Sequence, residues 1–327
     1  MAQITLNSSG VASSGTLALQ SNGTTTAVTI DASQNVGVGV TPSAWGGGKN
    51  IQLAASSSVV GSNDEVYLAA NSYFNGTNNK YIANGFATQY SQETGVHKWF
   101  IAPTGTAGNN ITFTRAMTLD ASGNLGIGVT PSGWGSTYKA QQIGQAGVLS
   151  GHTSVPAMTL TSNAYENSGW KAITTSSAHR IDLSSDNNAT IFYRAPSVSA
   201  GSALTWSESM RLDSSGNLLF NSGYGSVATA YGCRAWVNFN GTGTPAIRGS
   251  GNVSSITDGG TGTFTVNFTT SMPDQNYSAV GSAVNSSSSL VGITAAGGIQ
   301  TPYFEIRVTN DAGSLQDPNF CCYAVFR

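Results

Sequence analysis

One phrase is written twice in this chain: IDASQNVGVGVTPSAWG runs from Ile30 to Gly46, and LDASGNLGIGVTPSGWG from Leu119 to Gly135. A third, looser version, RLDSSGNLLFNSGYG, runs from Arg211 to Gly225. Taking Asp31, Asp120 and Asp213 as markers, the copies lie 89 and 93 residues apart. The likeness extends beyond the phrase. FIAPTGTAGNNITFTRAMTLDASGNL from Phe100 aligns without a gap on YRAPSVSAGSALTWSESMRLDSSGNL from Tyr193, which sets Pro103 against Pro196, Phe113 against Trp206 and Met117 against Met210. NNKYIA from Asn78 resembles SGWKAI from Ser168 once a small gap is allowed. The chain is therefore a tandem array of modules about ninety residues long.

Each phrase reads as strand, turn, strand. Met117 and Leu119 alternate with Thr118 and Asp120, the period of a half-buried strand. DASGN then turns the chain, since Asp and Asn favour self-bonded turns and Gly123 can take a positive φ. Leu125, Ile127 and Val129 follow on one face, with Gly126 and Gly128 on the other. Glycines at alternate strand positions suggest that another backbone passes close by. Pro131 ends the strand, and Trp134 stands beside it as an apolar anchor.

The stretches between the phrases, DEVYLAA, KYIANGFATQY, VHKWFIAP and NITFTRAMTLD, are short strands parted by Asn, Gly and Ser clusters. From about Cys233 the repeat stops. Phe264, Val266 and Phe268 alternate inward there, as do Phe304, Ile306 and Val308, and the chain closes on the strand CCYAVFR. That pattern predicts a small antiparallel sandwich. The expected fold is all-β throughout, with segments at 1–23, 24–143, 144–232 and 233–327.

Composition narrows the function. Charged residues make up 9% of the chain and the formal net charge is -2. Ordinary domains hold roughly 25% charged residues. Nucleic acid and acidic membranes need clustered Lys and Arg, so neither is an expected partner. No apolar run reaches the roughly 18 residues of a membrane helix, and MAQITLNSSGVASSG lacks the features of a signal peptide, so synthesis in a cytoplasm is expected. Cys233, Cys321 and Cys322 make a poor disulfide framework and read as small apolar residues on a terminal strand.

A search for chemistry returns little. GIGVTP and GVGVTP lack the third glycine and the helix of a dinucleotide loop, and there is no GK[ST]. His97, His152 and His179 stand apart, and no G-x-S-x-G elbow occurs. A glycosidase needs two carboxylates about 5 to 10 Å apart. Asp64, Glu65, Glu93, Glu166, Asp182 and Asp186 are scattered over turns, and sequence does not pair them. No catalytic residue, metal ligand or cofactor is expected.

DASGNLGIGVTPSGWG resembles the GNVGIGTTSP-type repeat of bacteriophage tail fibres, with three copies between about residues 27 and 225. The resemblance implies an elongated homotrimeric fibre of repeated β modules. It also implies a virion location, on the tail or baseplate, with attachment directly or through an adaptor by the segment 1–23. The autocleaving chaperone domain of many such fibres is not expected. The block from AWVNFNGTGTP to CCYAVFR is similar to tail-fibre receptor-binding domains and, more distantly, to the six-stranded, trimeric H-type lectins. It therefore implies recognition of a bacterial surface polysaccharide or lipopolysaccharide, without enzymatic cleavage or membrane insertion. Three copies around an axis would cover strand faces and edges that a thin module leaves open, and would add weak contacts through effective concentration.

Receptor contacts are then expected in the loops AVNSSSSL around Asn285, AAGGIQTPY up to Tyr303, and TNDAGSLQDPNF with Asn310, Asp311, Asp317, Asn319 and Phe320. Asn, Asp and Ser bond sugar hydroxyls, and Tyr303 or Phe320 can cover an apolar ring face. Two other readings compete. A tailspike-type enzyme would shorten the glycan. A cellular trimeric adhesin would need a secretion signal and an anchor.

Overall fold

A computed structural model describes residues 15–21, 25–184, 188–223, 227–285, 290–294 and 298–327. The chain divides into two compact units, Met1–Ala228 and Thr229–Arg327. All regular elements among the described residues are strands, as the sequence leads one to expect.

The first unit opens with β1 (Leu17–Ser21). Nine strands then form the first repeat: β2 (Thr25–Ile30), β3 (Val36–Val38), β4 (Lys49–Leu53), β5 (Ser57–Ser62), β6 (Glu65–Ala70), β7 (Ser72–Phe74), β8 (Asn79–Tyr81), β9 (Gly85–Glu93) and β10 (Val96–Gly105). The second repeat supplies the same nine in the same order: β11 (Thr114–Leu119), β12 (Leu125–Ile127), β13 (Tyr138–Ile143), β14 (Gly147–His152), β15 (Ala157–Ser162), β16 (Ala164–Glu166), β17 (Trp170–Ala172), β18 (Ser176–Ser184) and β19 (Ala189–Val198). A third begins with β20 (Ser207–Leu212) and β21 (Leu218–Phe220), and β22 (Ala228–Thr229) follows. Of the attachment segment expected over 1–23, residues 1–14 and 22–23 lie outside the described residues, and β1 within it pairs antiparallel with β2.

One ladder joins β1 to β6 in order, then β9 to β15, then β18 to β21. Within it β3–β4 and β12–β13 are parallel and the other pairings antiparallel. Because β10 pairs directly with β11, successive repeats share a sheet and are not separate beads. The hairpins β7–β8 and β16–β17 stand outside the ladder. KYIANGFATQY is thus two strands, broken at Ile82–Asn84, and NITFTRAMTLD becomes strand only at Thr114. Ile111 ahead of it is buried in the module core instead.

The repeated turn is built by its aspartate. Asp120 Oδ1 accepts the backbone N–H of Ser122 (2.9 Å) and Asn124 (2.8 Å), and Oδ2 accepts from Asn124 Nδ2 (3.0 Å). Gly123 supplies the positive φ of 83°. Asp31 and Asp213 repeat the bonding. The alternate glycines have a different cause from the one expected. A Cβ on Gly126 would overlap the carbonyl of Val129 and lie 2.9 Å from Pro131 Cδ, so the backbone that passes close is the chain's own Val-Thr-Pro turn. The strand ends at Ile127, and Gly128 is a turn residue with φ of 70°.

The two faces of this sheet are unlike, and the large apolar side chains gather on the one that is open. The covered face mixes polar residues, Asn50, Gln52, Ser58, Ser91, Thr118, Gln142, Ser150 and Thr159, with small or branched apolar ones such as Val60, Ala69, Ala87, Ala140 and Val148, all buried. Its two glutamines are bonded in matching ways: Gln52 Oε1 accepts from Ser43 N (2.8 Å) and Gln142 Oε1 from Ser132 N (2.9 Å). Asn71 and Asn163, at φ of 59° and 60°, each fasten the loop ahead of β9 or β18 through both ends of the amide. Trp45 and Trp134 cap this layer at 7% exposure.

The opposite face is apolar and open. Register carries one row across neighbouring strands through Ile51, Val59, Leu68, Tyr90, Trp99, Met117, Ile127 and Ile143. A second row runs through Leu149, Leu160, Ile181, Phe192, Met210 and Phe220. Leu68 is 51% exposed and Leu160 55%.

The second unit is a sandwich of β23 (Cys233–Asn240), β24 (Ala246–Gly251), β25 (Val253–Asp258), β26 (Thr263–Phe268), β27 (Ser278–Val284), β28 (Leu290–Thr294), β29 (Tyr303–Thr309) and β30 (Phe320–Phe326). One layer runs β24-β23-β30-β27 and the other β25-β26-β29, with β28 pairing to both β27 and β29. That is eight strands, against the six that a likeness to H-type lectins leads one to expect. Phe264, Val266, Phe304, Ile306 and Val308 point inward at 0–1% exposure, as their alternation predicts. Cys321 joins this core and burial pushes its thiol up to about 12, so it is inert. Cys233, expected on a terminal strand, starts β23 instead and is exposed.

Candidate functional site

The seven residues expected to meet a receptor separate to opposite ends of the sandwich. β23 starts beside Phe326, so the chain enters where β30 ends, and the ion pair of Arg327 with Asp274 holds that end. Tyr303 opens β29 at this same end, where its carbonyl accepts a hydrogen bond from the Tyr277 hydroxyl (3.0 Å). Asn310 follows the far end of β29, and Asn285 follows β27 beside Phe320. Asn310, Asp311, Asp317, Asn319, Phe320 and Asn285 therefore gather at the end away from the point of entrance.

Asn310 and Asp317 each hold a turn or loop in place. Asn310 Oδ1 accepts from Ser314 N (2.9 Å) and closes the turn after β29. Asp317 Oδ1 accepts from Gly262 N (2.7 Å) and ties its loop to the β25–β26 turn. Asp311 is exposed, Asn285 and Asn319 are half-buried, and Phe320 is 49% exposed. Of the loops AVNSSSSL and AAGGIQTPY, residues 286–289 and 295–297 lie outside the described residues.

Sequence reasoning passed over two residues, Arg248 beside Phe320 at this end and Trp236 midway along β23. The Arg248 guanidinium lies over the Phe320 ring, 4.1 Å from its centroid. Trp236, 48% exposed, lies across the neighbouring strand, where a Cβ on Gly251 would sit 2.5 Å from its Nε1 and one on Gly249 3.3 Å from its ring. With Val280, Ser282, Cys322 and Ala324 it lines an open groove of about 600 Å³ on the β24-β23-β30-β27 layer. A lone arginine in a charge-poor stretch, and glycines opposite a tryptophan, were the available signals.

Of the carboxylates weighed for an enzyme, Glu93, Glu166 and Asp182 have partners. Glu65 and Glu93 face each other across β6–β9, and Glu93 is paired with Lys98. Glu166 Oε1 accepts from Gly169 N (2.9 Å). Asp182 is bridged to Arg180 at 2.8 Å, and burial raises its carboxyl above the ordinary range while Arg180 opposes the rise. Asp186 lies outside the described residues. His97 Nδ1 is bonded to the Tyr90 hydroxyl (2.6 Å), and His152 Nδ1 accepts from the N–H of Ser154 and Val155 (both 3.2 Å). Among the described residues, no three His, Cys, Asp or Glu side chains are grouped to hold a metal ion, and no helix is long and apolar enough to cross a membrane. The β24-β23-β30-β27 layer thus offers aromatic rings and the exposed Arg248, with amide groups at its far end, which suits reversible recognition of hydroxylated rings. Comparison with known protein families, with curated proteins and with solved structures finds no match for this chain.

Proposed function

We propose that this chain is the subunit of a homotrimeric tail fibre, carried on the tail or baseplate of a phage virion. In this reading it binds a bacterial surface glycan through its second unit and cleaves no bond. The observation that carries it is the open face of the first unit's sheet, where rows of large apolar side chains such as Ile51, Leu68, Ile143 and Leu160 stay exposed. A contiguous apolar face of this extent calls for a partner. Every copy presents the same face, so other copies of the chain, arranged around an axis, are the partner that closes it. Burying what remains open of a side chain such as Leu160 contributes about 1 kcal/mol, and the rows repeat this across the sheet. At the tip, the Arg248–Phe320 pair and Trp236 would then be present in three copies, so contacts that are weak singly hold together.

Light scattering on the full-length chain tests the assembly, with an expected mass three times the 33.5 kDa of one chain. Leu68→Glu with Leu160→Glu should abolish it. A soluble wild-type monomer would overturn the reading. Binding of the full chain to purified surface polysaccharide should weaken in Arg248→Ala and Phe320→Ala, with polymer size unchanged on incubation. Shortening of the polymer would establish the tailspike alternative.

A further inference from the structure

At one place the two repeats are filled differently. In the second, the Arg180 guanidinium lies 4.8, 4.4 and 4.9 Å from the ring centroids of Trp170, Tyr193 and Trp206, and its bridge to Asp182 neutralises it. The matching strand positions of the first repeat are Asn79 for Trp170, Gln89 for Arg180, Ser91 for Asp182 and Phe100 for Tyr193. The shorter side chains leave a cavity of about 260 Å³, lined by Ser62, Glu65, Tyr67, Phe74, Asn79 and Gln89.

These lining residues are half-buried. Among the described residues, no hydrogen bond or ion pair engages the side chain of Ser62, Glu65, Tyr67, Asn79 or Gln89. Ser91 Oγ and Thr118 Oγ1 are buried on this face without a partner, whereas these five line one cavity, where a ligand or water can bond several of them at once. The donor set selects the ligand. Glu65 accepts only, Tyr67 and Ser62 both donate and accept, and each amide does both, which matches hydroxyl groups that donate once and accept twice. Burial and the neighbouring Glu65 push the Tyr67 hydroxyl up to about 12, so it stays a neutral donor. Phe74 adds a flat apolar wall. An anion would meet Glu65 with no cation in the lining, because the nearby Lys98 is held by Glu93. The volume lies below the roughly 300–1,000 Å³ of pockets for drug-sized ligands and fits one small ring.

We propose that this cavity of the first repeat binds a single neutral sugar ring, a second glycan site set apart from the sandwich. The proposal rests on the glycan-attachment reading for its ligand class, and its site is independent of the tip.

Saturation-transfer NMR on the full-length protein tests it, with glucose, galactose and N-acetylglucosamine at millimolar concentration as probes. At least one should receive saturation from the wild type. The signal should vanish in Asn79→Trp/Gln89→Arg/Ser91→Asp, which installs the plug of the second repeat. In Tyr67→Phe, which removes one oxygen and leaves the fold intact, affinity should fall about 3- to 10-fold, the equivalent of one hydrogen bond. Absence of transfer to all three sugars overturns the cavity site. So does a signal unchanged in both variants. If such a signal instead disappears in Phe320→Ala, the cavity falls while recognition at the tip stands. Polysaccharide binding that is unchanged in the tip variants, with the cavity signal intact, would leave the cavity and overturn recognition at the tip.

Discussion

In the second repeat Trp134 meets three aromatic rings, Tyr138 at 6.3 Å, Tyr165 at 6.4 Å and Trp170 at 6.3 Å, whereas its counterpart Trp45 in the first meets Tyr73 at 6.0 Å. The strand order and register around both are the same. What the repeats share is a small bonded skeleton: the aspartate turn, the glutamine that bonds the loop after it, the left-handed asparagine before the long hairpin, and the tryptophan. What they do not share is the filling between Trp134 and Trp206, where the second repeat stacks rings around Arg180 and the first leaves a cavity. The skeleton therefore fixes the backbone, and the filling is free to differ.

The largest test of that division is to remove the tryptophans. Trp45→Ala and Trp134→Ala should each destabilise by about 3–5 kcal/mol, with Trp134→Ala the worse because three stacked rings lose their neighbour. Urea denaturation at fixed protein concentration would measure the difference, since association is linked to stability. Equal losses would mean that the ring stack adds nothing beyond burial and that the two interiors are energetically interchangeable.

Much of this skeleton could be read from the chain alone because it is local. The Asp120 turn lies within five residues, and the alternation of Phe304, Ile306 and Val308 is a property of one strand. The parts that could not be read are those in which distance along the chain is not distance in space. Gly126 was traced to a neighbouring backbone, and the neighbour proved to be its own turn five residues on, at Pro131. Tyr303 and Asn310 look adjacent in sequence, yet β29 carries them to opposite ends of the sandwich. Asp317 reads as a free loop acid, and it is bonded to Gly262, 55 residues earlier. The open apolar face was equally hidden, because alternation shows that a strand has two unlike faces and not which one its own loops will cover.

A smaller effect separates the repeats by pH. Burial raises the Asp182 carboxyl above its ordinary 3.8, with Arg180 opposing. A carboxyl raised on folding lends stability below its unfolded value, and that contribution is lost as pH rises through the folded value. Asp213 behaves oppositely: the Asn217 and Ser215 backbone bonds lower it, so its contribution is present above the ordinary range and is lost as pH falls through the lowered value. Asp182→Asn should therefore flatten the decline in stability just above pH 4, and Ser91→Asp with Gln89→Arg should bring such a decline to the first repeat. Carboxyl-carbon NMR titration of Asp182 and Asp213 would show the two displacements directly. A normal Asp182 titration would place its carboxylate in water and out of the cage.

The smallest expected effect lies in the turn itself, where the copies agree in bonding and differ in one residue. Asn35, Asn124 and Asn217 donate their backbone N–H to the preceding aspartate at 2.8, 2.8 and 2.9 Å. The residue before each asparagine is left-handed, with φ of 83° at Gly123 and 78° at Gly216, but the first repeat holds Gln34 there at 70°. A side chain in that conformation costs about 1–2 kcal/mol, and glycine returns part of the gain through a more disordered unfolded chain, by about 0.4–1 kcal/mol. Gln34→Gly should therefore stabilise by about 0.5–1 kcal/mol and Gly123→Gln should destabilise by a similar amount, both read as shifts in the urea midpoint. Opposite shifts of equal size would make the turn a transferable part of the skeleton. A neutral Gln34→Gly beside a costly Gly123→Gln would show that the Gln34 side chain is itself held in the assembled protein, and the first turn would then belong to an interface and not to the skeleton.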